Sequence, residues 1–222
     1  PEVIAGQRNW DYRYTWIRDA SFTLYALNRL GYTNESTAFM DWLILRCYDI
    51  ESVTLQTLYS VGGRRNLDEF ELDHLEGYRG SRPVRVGNQA HKQLQLDIYG
   101  ELMDAVYLHD KFAGQLSYEM WSRLKEMVNW VCENWGRPDE GIWEVRSGER
   151  EFLFSRLLCW VAVDRAVRLA YKRALPAPID SWQHTRDRIY LDIMDHFWDR
   201  ENKCLSLLQS LEYRGPFPIL PR

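Results

Sequence analysis

The sequence lacks the features that mark membrane spans, secretory signals and nucleic-acid-binding surfaces. It has no apolar run of about eighteen residues, and its N-terminus has no basic start followed by an apolar stretch. A net charge of −4 with scattered Lys and Arg gives no basic field for phosphate backbones. We therefore expect a cytoplasmic globular protein whose partners include neither a membrane nor a nucleic acid.

Cysteine is scarce, with four widely separated residues at Cys47, Cys132, Cys159 and Cys204. They form no C-x-x-C pair, and no His lies at ligand spacing from them. The five His residues fall on separate predicted elements. The pattern predicts buried reduced thiols and neither a metal nor a cofactor.

The familiar catalytic motifs are also missing. The sequence has no G-x-S-x-G elbow, no H-E-x-x-H, no phosphate loop and no G-x-G-x-x-G. It has no D-x-D-D or D-D-x-x-D cluster either, which argues against terpene cyclisation. Ten Trp and thirteen Tyr are the compositional anomaly, and these rings suit helix cores as well as the faces of sugars. Paired carboxylates are the catalytic chemistry that remains.

Apolar residues recur at spacings of three and four, without sustained alternation of period two, so the chain is predicted to be all-α. Six helices are expected. The first runs from about Thr15 to Leu30 and ends before Gly31, and the second carries a stripe from Phe39 to Cys47, capped by Asn34 or Ser36, that continues to the β-branched residues 50–54. The other four are indicated by apolar residues from Leu94 to Val106, from Leu116 to Val131, from Phe154 to Leu169, and from Trp182 to Phe197, the last capped by Asp180 or Ser181.

Long loops separate these helices into three pairs. Residues 60–89 are rich in Gly, Arg and Pro and predict an ordered functional loop, and residues 137–148 form a second loop. Three pairs with long connections indicate a ring or solenoid of hairpins rather than a four-helix bundle. No internal sequence repeat is visible to establish a solenoid.

The first candidate site segment is NWDYRYTWIRDA, residues 9–20, which leads into the first helix. Adjacent helical residues point in different directions, so Arg18 and Asp19 cannot both face one buried core. One or both are expected to reach a polar site. The alternative is a structural ion pair at a helix start, where Asp also complements the helix dipole.

The second candidate segment is PDEGIWEVRSGEREF, residues 138–152, a loop with several carboxylates around Trp143. A carboxyl beside an indole in a water-poor cleft tends to keep its proton, which suits it to protonate a leaving group. Glu144 is the natural candidate for that role. The alternative is a solvated acidic loop anchored by Trp143.

Three motifs together resemble the family-15 glycoside hydrolases, the group of glucoamylases, glucodextranases and bacterial or archaeal trehalases. They are NWDYRYTWIRDASFTLYAL, LEGYRGSRPVRVGNQAHKQLQLDIYGE and PDEGIWEVR, in that order, and the likeness covers about Gln7 to Glu201. The resemblance implies an (α/α)6 toroid of six helical hairpins. Three hairpins would then be about half of the barrel.

The resemblance also implies a reaction and a set of site residues. The reaction is inverting hydrolysis of terminal α-glucosidic bonds, in which one carboxylic acid protonates the glycosidic oxygen and a carboxylate on the opposite face activates water. The substrate would be an α-linked glucose oligosaccharide or trehalose. By position, Glu144 matches the general acid, Arg18 and Asp19 match glucose binders, Tyr12, Trp16 and Trp143 match pocket aromatics, and Arg82, Arg85 and Asn88 match a subsite loop.

Two departures from the family pattern shape the expectation for this chain. No segment matches the motif of the general base, and the sequence after about Lys203 does not resemble the family. We expect a partial catalytic domain over residues 1–203 with an unrelated tail over 204–222, from a truncated reading frame or an excised fragment. Such a chain would hydrolyse little by itself. The alternative is an inactive sugar-binding or assembly module, and the oligomeric state is left open.

Overall fold

The computed structural model describes residues 1–48, 54–112, 114 and 116–208, apart from the side chains of Cys47 and Tyr48. The all-α prediction is confirmed, since helices make up most of the described chain. The helices are α1 Ile17–Leu30, α2 Thr33–Tyr48, α3 Asp97–Phe112, α4 Tyr118–Asn134, α5 Leu153–Arg173 and α6 Ile179–His196.

Within the described residues, three antiparallel pairs of two-residue strands lie in the connections. They are β1 Thr15–Trp16 with β2 Leu58–Tyr59, β3 Phe70–Glu71 with β4 Arg85–Val86, and β5 Trp198–Asp199 with β6 Cys204–Leu205. The predicted loop over residues 60–89 is thus an ordered connection that contains the β3–β4 pair. The β1–β2 pair ties the start of α1 to the entrance of that loop.

The helices form two layers. The helices α1, α3 and α5 pack side by side in one row, while α2 packs on α1, α6 packs on α5, and α4 lies against α3 and α5. The main hydrophobic core lies between the rows and includes Leu24, Leu102 and Val163. This is the arrangement of three helical hairpins, each with one inner and one outer helix.

Gly100 sets the distance between the two central helices. A Cβ at this position of α3 would overlap the backbone carbonyl of Leu158 in α5. Glycine weakens a helix interior, so its presence here is explained by the close approach of the two backbones.

The end of α1 also follows the prediction: Gly31 has φ 87°, the left-handed conformation that suits glycine after a helix.

Several predicted boundaries are wrong by a few residues. Thr15 belongs to β1 and not to the first helix, because its backbone pairs with Tyr59. Leu94 and Leu116 precede α3 and α4, and Ser117 caps α4 through the Met120 N–H. The continuation of the second helix toward residue 54 falls largely on residues 49–53, which lie outside the described residues.

The predicted side-chain caps of α2 and α6 are also wrong. The second helix begins at Thr33, so Asn34 and Ser36 lie inside it. The N-cap of α6 is Pro178, which has no side chain able to accept a hydrogen bond, and Asp180 lies in the first turn. The thiols are only partly as expected, since Cys159 is buried and Cys204 is exposed.

Arg156 fastens the second loop to the helices on both sides of it. Its buried guanidinium donates to the carbonyls of Trp135 and Gly136 and pairs with Glu151 and Asp192. Residues 204–208 also contact this region, because the Leu153 N–H donates to the carbonyl of Leu207.

Across the described ranges no helix is both long and apolar enough to cross a membrane.

Candidate active site

The loop between α4 and α5 is held against the segment that enters α3. Glu140 and Leu94 are joined twice, since the Glu140 N–H donates to the Leu94 carbonyl and the Leu94 N–H donates to Glu140 Oε2 at 2.9 Å. Asp139 accepts from the Leu96 N–H at 2.8 Å and from the Ser155 hydroxyl at 2.7 Å. The loop is therefore positioned by hydrogen bonds of Asp139 and Glu140 to the segment before α3 and to Ser155.

Glu144 lies in a tight turn of this loop, with a backbone conformation that is unusual for its residue type. Its φ is 52°, in the left-handed region, and its N–H donates to the Gly141 carbonyl at 3.1 Å. Non-glycine residues in this conformation carry about 1 kcal/mol of strain or more, and such residues cluster at functional sites. The turn points the carboxylate of Glu144 toward the start of α1.

Two side chains of the first segment meet Glu144 there. The indole Nε1 of Trp16 donates to Glu144 Oε1 at 2.6 Å, and Arg18 Nη2 lies 3.6 Å from the same oxygen. Arg18 also donates to the Ile142 carbonyl at 3.2 Å and pairs with Asp19 at 3.1 Å. The Glu144 side chain is 21% exposed and that of Asp19 is 64% exposed, so an acid sheltered on one side stands beside an open acid–arginine pair.

Asp11 organises the segment before Trp16. Its buried carboxylate accepts from Arg13 Nε at 2.7 Å, from the Tyr14 hydroxyl at 3.1 Å and from the Gly87 N–H at 3.2 Å. The Arg13 guanidinium holds the pKa of Asp11 below its usual range. Asn88 donates to the backbone carbonyl of Asp11 at 3.1 Å, so the loop around residue 87 braces residues 11–14.

Two cavities meet at Glu144. One of about 660 Å³, here called the Asp19 cavity, is lined by Trp16, Arg18 and Asp19 among others. The other, of about 560 Å³ and here called the Trp10 cavity, is lined by Trp10, Gln93 and Arg146 among others. Tyr12, Trp143 and Glu144 line both cavities. Both volumes fall in the range of small-molecule sites.

Beside the Trp10 cavity lies a clamp of charged and aromatic groups, formed by Trp10, Glu69, Arg85 and Arg146, of which Trp10 and Arg146 line the cavity. The guanidinium of Arg146 lies 3.8 Å from the centre of the Trp10 ring, and that of Arg85 lies 4.7 Å from it. Glu69 pairs with both arginines, at 3.1 Å from Arg146 and 3.4 Å from Arg85. Arg146 therefore has a fixed conformation although it faces a cavity.

Beneath the site lies a pair of buried acids that the sequence analysis did not single out. Asp97 begins α3, is fully buried, and neither of its carboxylate oxygens has a hydrogen-bond partner in another residue of the described chain. Burial raises the pKa of Asp97 to about 7, and burial together with the charge of Asp97 raises the pKa of Glu101 to about 7. The signal was present in the quoted motif QLDIYGE, whose two acids lie one helical turn apart.

The remaining predicted residues divide between the site and its supports. Tyr12 and Trp143 are largely exposed and line the two cavities, and Trp143 is 77% exposed. Asn88 reaches the Trp10 cavity, but its amide is engaged by backbone groups. Arg85 lies behind Trp10, and the exposed Arg82 donates to the Glu76 carbonyl away from either cavity lining.

The three hairpins have the fold of part of an (α/α)6 toroid. A glycosidase solved in complex with glucose superposes with a TM-score of 0.63 and 20% identity, over 89% of this chain and 51% of that one. A glucoamylase from Saccharomycopsis fibuligera superposes with a TM-score of 0.57 and 14% identity, over 90% of this chain and 44% of that one. About half of the toroid is therefore present, as predicted.

The chain belongs to the glycosyl hydrolases family 15, whose pattern it matches over residues 2–215. It is 42% identical over 198 residues to a trehalase of Mycobacterium tuberculosis, covering 88% of this chain and 29% of that protein. It is 39% identical over 204 residues to a trehalase of Thermoplasma acidophilum, covering 90% of this chain and 34% of that protein. The chain thus spans about a third of the length of these relatives.

Proposed function

We propose that this chain supplies the acid side of an inverting α-glucoside hydrolase site, with trehalose as the preferred substrate class. The observation that carries the proposal is the position of Glu144, held by Trp16 and Arg18 where two cavities meet. A bond between two sugar rings would cross that point. The preference for trehalose draws on the relatives described above, two of which are trehalases.

In the proposed reaction the carboxylic acid of Glu144 gives its proton to the glycosidic oxygen as the bond to the anomeric carbon breaks. Water attacks that carbon from the opposite face and loses its proton to a second carboxylate. The products from trehalose are then one glucose of inverted, β configuration and one of retained, α configuration. Proton NMR of an active preparation would distinguish this outcome from retention, which yields only α-glucose at first.

The reacting glucose unit is assigned to the Asp19 cavity. Arg18 and Asp19 form a pair at 3.1 Å that offers both donors and an acceptor to ring hydroxyls. Tyr12 and Trp16, whose rings lie 5.9 Å apart, provide apolar surface beside them. This pairing of charged hydrogen-bonding groups with aromatic surface is suited to a sugar, which has hydroxyls at its edge and C–H groups on its faces.

The water-activating carboxylate is proposed to lie outside this chain. No segment of the sequence matches the family's motif for it. The 222-residue chain alone should therefore release little glucose from trehalose or maltose, and the assignment of residues 204–222 to a tail unrelated to the catalytic domain stays part of the same proposal. Robust turnover by this chain would contradict the proposed division of the two carboxylates.

Binding of sugar by the chain tests the proposal directly. Isothermal titration with trehalose, maltose and an acarbose-like inhibitor should give saturable binding that Asp19→Ala weakens by about tenfold or more, the effect of losing a charged hydrogen bond. Asp73→Asn, at an exposed loop position, is the control and should leave binding unchanged. If the unaltered chain binds none of these ligands, the assignment of the Asp19 cavity to glucose is wrong.

A non-catalytic sugar-binding module is the second candidate. It is favoured by one observation, namely that Arg18 contacts both Asp19 and Glu144 whereas no segment of the sequence matches the motif of the second carboxylate. It predicts the same binding and the same dependence on Asp19. It differs in predicting no glucose release even when the chain is studied within any longer protein that contains it.

A further inference from the structure

We propose that Arg146 determines specificity on the leaving-group side of Glu144, by donating to a hydroxyl of a second sugar ring in the Trp10 cavity. This inference rests on the proposed function and goes beyond it. The proposed function assigns the reacting glucose to the Asp19 cavity, and the inference concerns the cavity on the other side of the acid.

The location of Arg146 follows from the turn that holds Glu144. Arg146 lies two residues after Glu144, and its side chain lines the Trp10 cavity together with Trp10 and Gln93. Because Glu144 lines both cavities, a group that leaves the reacting glucose across Glu144 enters the Trp10 cavity. Arg146 is the arginine of that cavity closest in sequence to the acid.

The clamp leaves Arg146 both fixed and accessible. One face of its guanidinium lies 3.8 Å from the centre of the Trp10 ring, and Nη2 pairs with Glu69 at 3.1 Å. Its side chain is nevertheless 44% exposed, because the clamp engages only part of the five-donor guanidinium. A side chain ordered before the ligand arrives loses little conformational entropy on binding, so its hydrogen bonds contribute more to affinity.

Arg85 positions Glu69, the residue that pairs with Arg146. Arg85 pairs with Glu69 at 3.4 Å and with Glu71 at 3.1 Å, and donates to the Gln7 carbonyl at 3.0 Å. These contacts lie behind Trp10 and bury Glu69, whose side chain is 13% exposed. Arg85 is therefore a positioning residue, while Arg146 is the member of the clamp that faces ligand.

The chemical class expected in the Trp10 cavity is a neutral polyhydroxylated ring. The cavity combines aromatic surface from Trp10, Tyr12 and Trp143 with the polar groups of Gln93 and Arg146. A second glucose ring meets both kinds of group through its C–H faces and hydroxyl edge. An aglycone as small as a methyl group would reach neither Arg146 nor the far aromatic surface.

The test compares trehalose with methyl α-glucoside, because both carry the same reacting glucose and only trehalose carries a second ring. Arg146→Gln should weaken trehalose binding by the 222-residue chain about tenfold, the loss expected for one charged hydrogen bond, and should change methyl α-glucoside binding less than about twofold. Arg123→Gln, an arginine of similar exposure on α4, is the matched control and should change neither affinity.

The outcomes separate this inference from the proposed function. Failure of the unaltered chain to bind either sugar would overturn the proposed function and this inference with it. Equal affinity of the unaltered chain for the two sugars, or unchanged trehalose binding by Arg146→Gln, would overturn this inference alone. If Arg146→Gln weakened the binding of both sugars equally, the clamp would be merely structural, and this inference would again be overturned.

Arg146→Lys is the control for a loss of binding that is caused by unfolding. It keeps the positive charge next to Trp10 and Glu69 but lacks the planar fork of donors. Measured thermal stability should stay close to that of the unaltered chain, while the ratio of the two affinities should fall between the values for the unaltered chain and Arg146→Gln. A ratio that stays at the value of the unaltered chain would contradict the role given to the guanidinium.

Discussion

The indole of Trp16 and the carboxylate of Glu144 are joined by a hydrogen bond of 2.6 Å across 128 residues of sequence. The bond fixes the carboxylate from the side of α1, while the turn from Gly141 fixes it from its own backbone. It also offsets part of the strain of the left-handed conformation at Glu144. The same contact thus stabilises the fold and positions the carboxylate in the site.

A double-mutant cycle should measure that contact. Trp16→Phe removes the indole N–H, Glu144→Ala removes the acceptor, and the coupling energy in urea unfolding should be about 1 kcal/mol or more in favour of the native pair. Trp198→Phe, on an indole away from the site, should show no coupling to Glu144→Ala. A coupling below about 0.3 kcal/mol would mean that the bond does not stabilise the fold.

Stability should fall as the pH rises through the weakly acidic range. The pKa of Asp97 is raised to about 7 in the folded chain, so the folded state binds more protons than the unfolded state from about pH 4, where an ordinary aspartic acid titrates, to about pH 7. The free energy of unfolding then decreases with pH by up to about 1.4 kcal/mol per unit over that window. Glu101 contributes in the same direction.

Asp97→Asn should flatten this dependence, because the amide does not titrate. The measurement is thermal denaturation at pH 4.5, 6 and 8. The first two values lie inside the pH window given above, and the third lies beyond it. The groups that act electrostatically on Asp97 include Arg18, Asp139 and Glu144, and Asp97 in turn acts on Glu101. Asp73→Asn is the control, and a slope equally reduced in that variant would show that the effect does not come from Asp97.

Gly100→Ala should destabilise the chain by about 2 kcal/mol or more. Alanine normally stabilises a helix interior relative to glycine by about 1 kcal/mol, so the sign is the opposite of the propensity. The added methyl group would overlap the Leu158 carbonyl and push α3 away from α5. Gly62→Ala, where no atom would contact the new Cβ, should be nearly neutral in the same urea titration.

Ala174→Gly should stabilise the chain by about 1 kcal/mol. Ala174 follows α5 with φ 52°, a conformation in which glycine has no penalty from Cβ. The same substitution at Ala26, an exposed position inside α1, should destabilise by about as much. Two shifts of the same sign in thermal denaturation would contradict the left-handed assignment at Ala174.

The sequence predicted the helices well because their apolar spacing records which face is buried. Leu24, Leu102 and Leu169 all follow that spacing and all lie in the core. It predicted the ends of helices less well, since Thr15, Leu94 and Pro178 owe their states to backbone partners in distant segments or to local geometry. Such partners leave no trace in local periodicity.

The candidate site divides in the same way. Resemblance drew attention to Trp16, Arg18 and Glu144, which the structure brings together, but their roles stay predictions. The clamp around Trp10 and the buried acid Asp97 were not predicted. The clamp depends on contacts between segments far apart in sequence, which no local pattern reveals. The one-turn spacing of Asp97 and Glu101 marks them as neighbours on one helix, but only tertiary packing makes Asp97 fully buried.

One consequence of the clamp concerns residues that never approach a sugar. Glu69 lines neither cavity, yet its carboxylate fastens Arg146, which lies 77 residues further along the chain, to the loop that contains β3. Losing that carboxylate would unfasten two separate loops at once. Mutational scans that rank positions by distance from the bound sugar would overlook position 69, although its effect should resemble that of a direct contact.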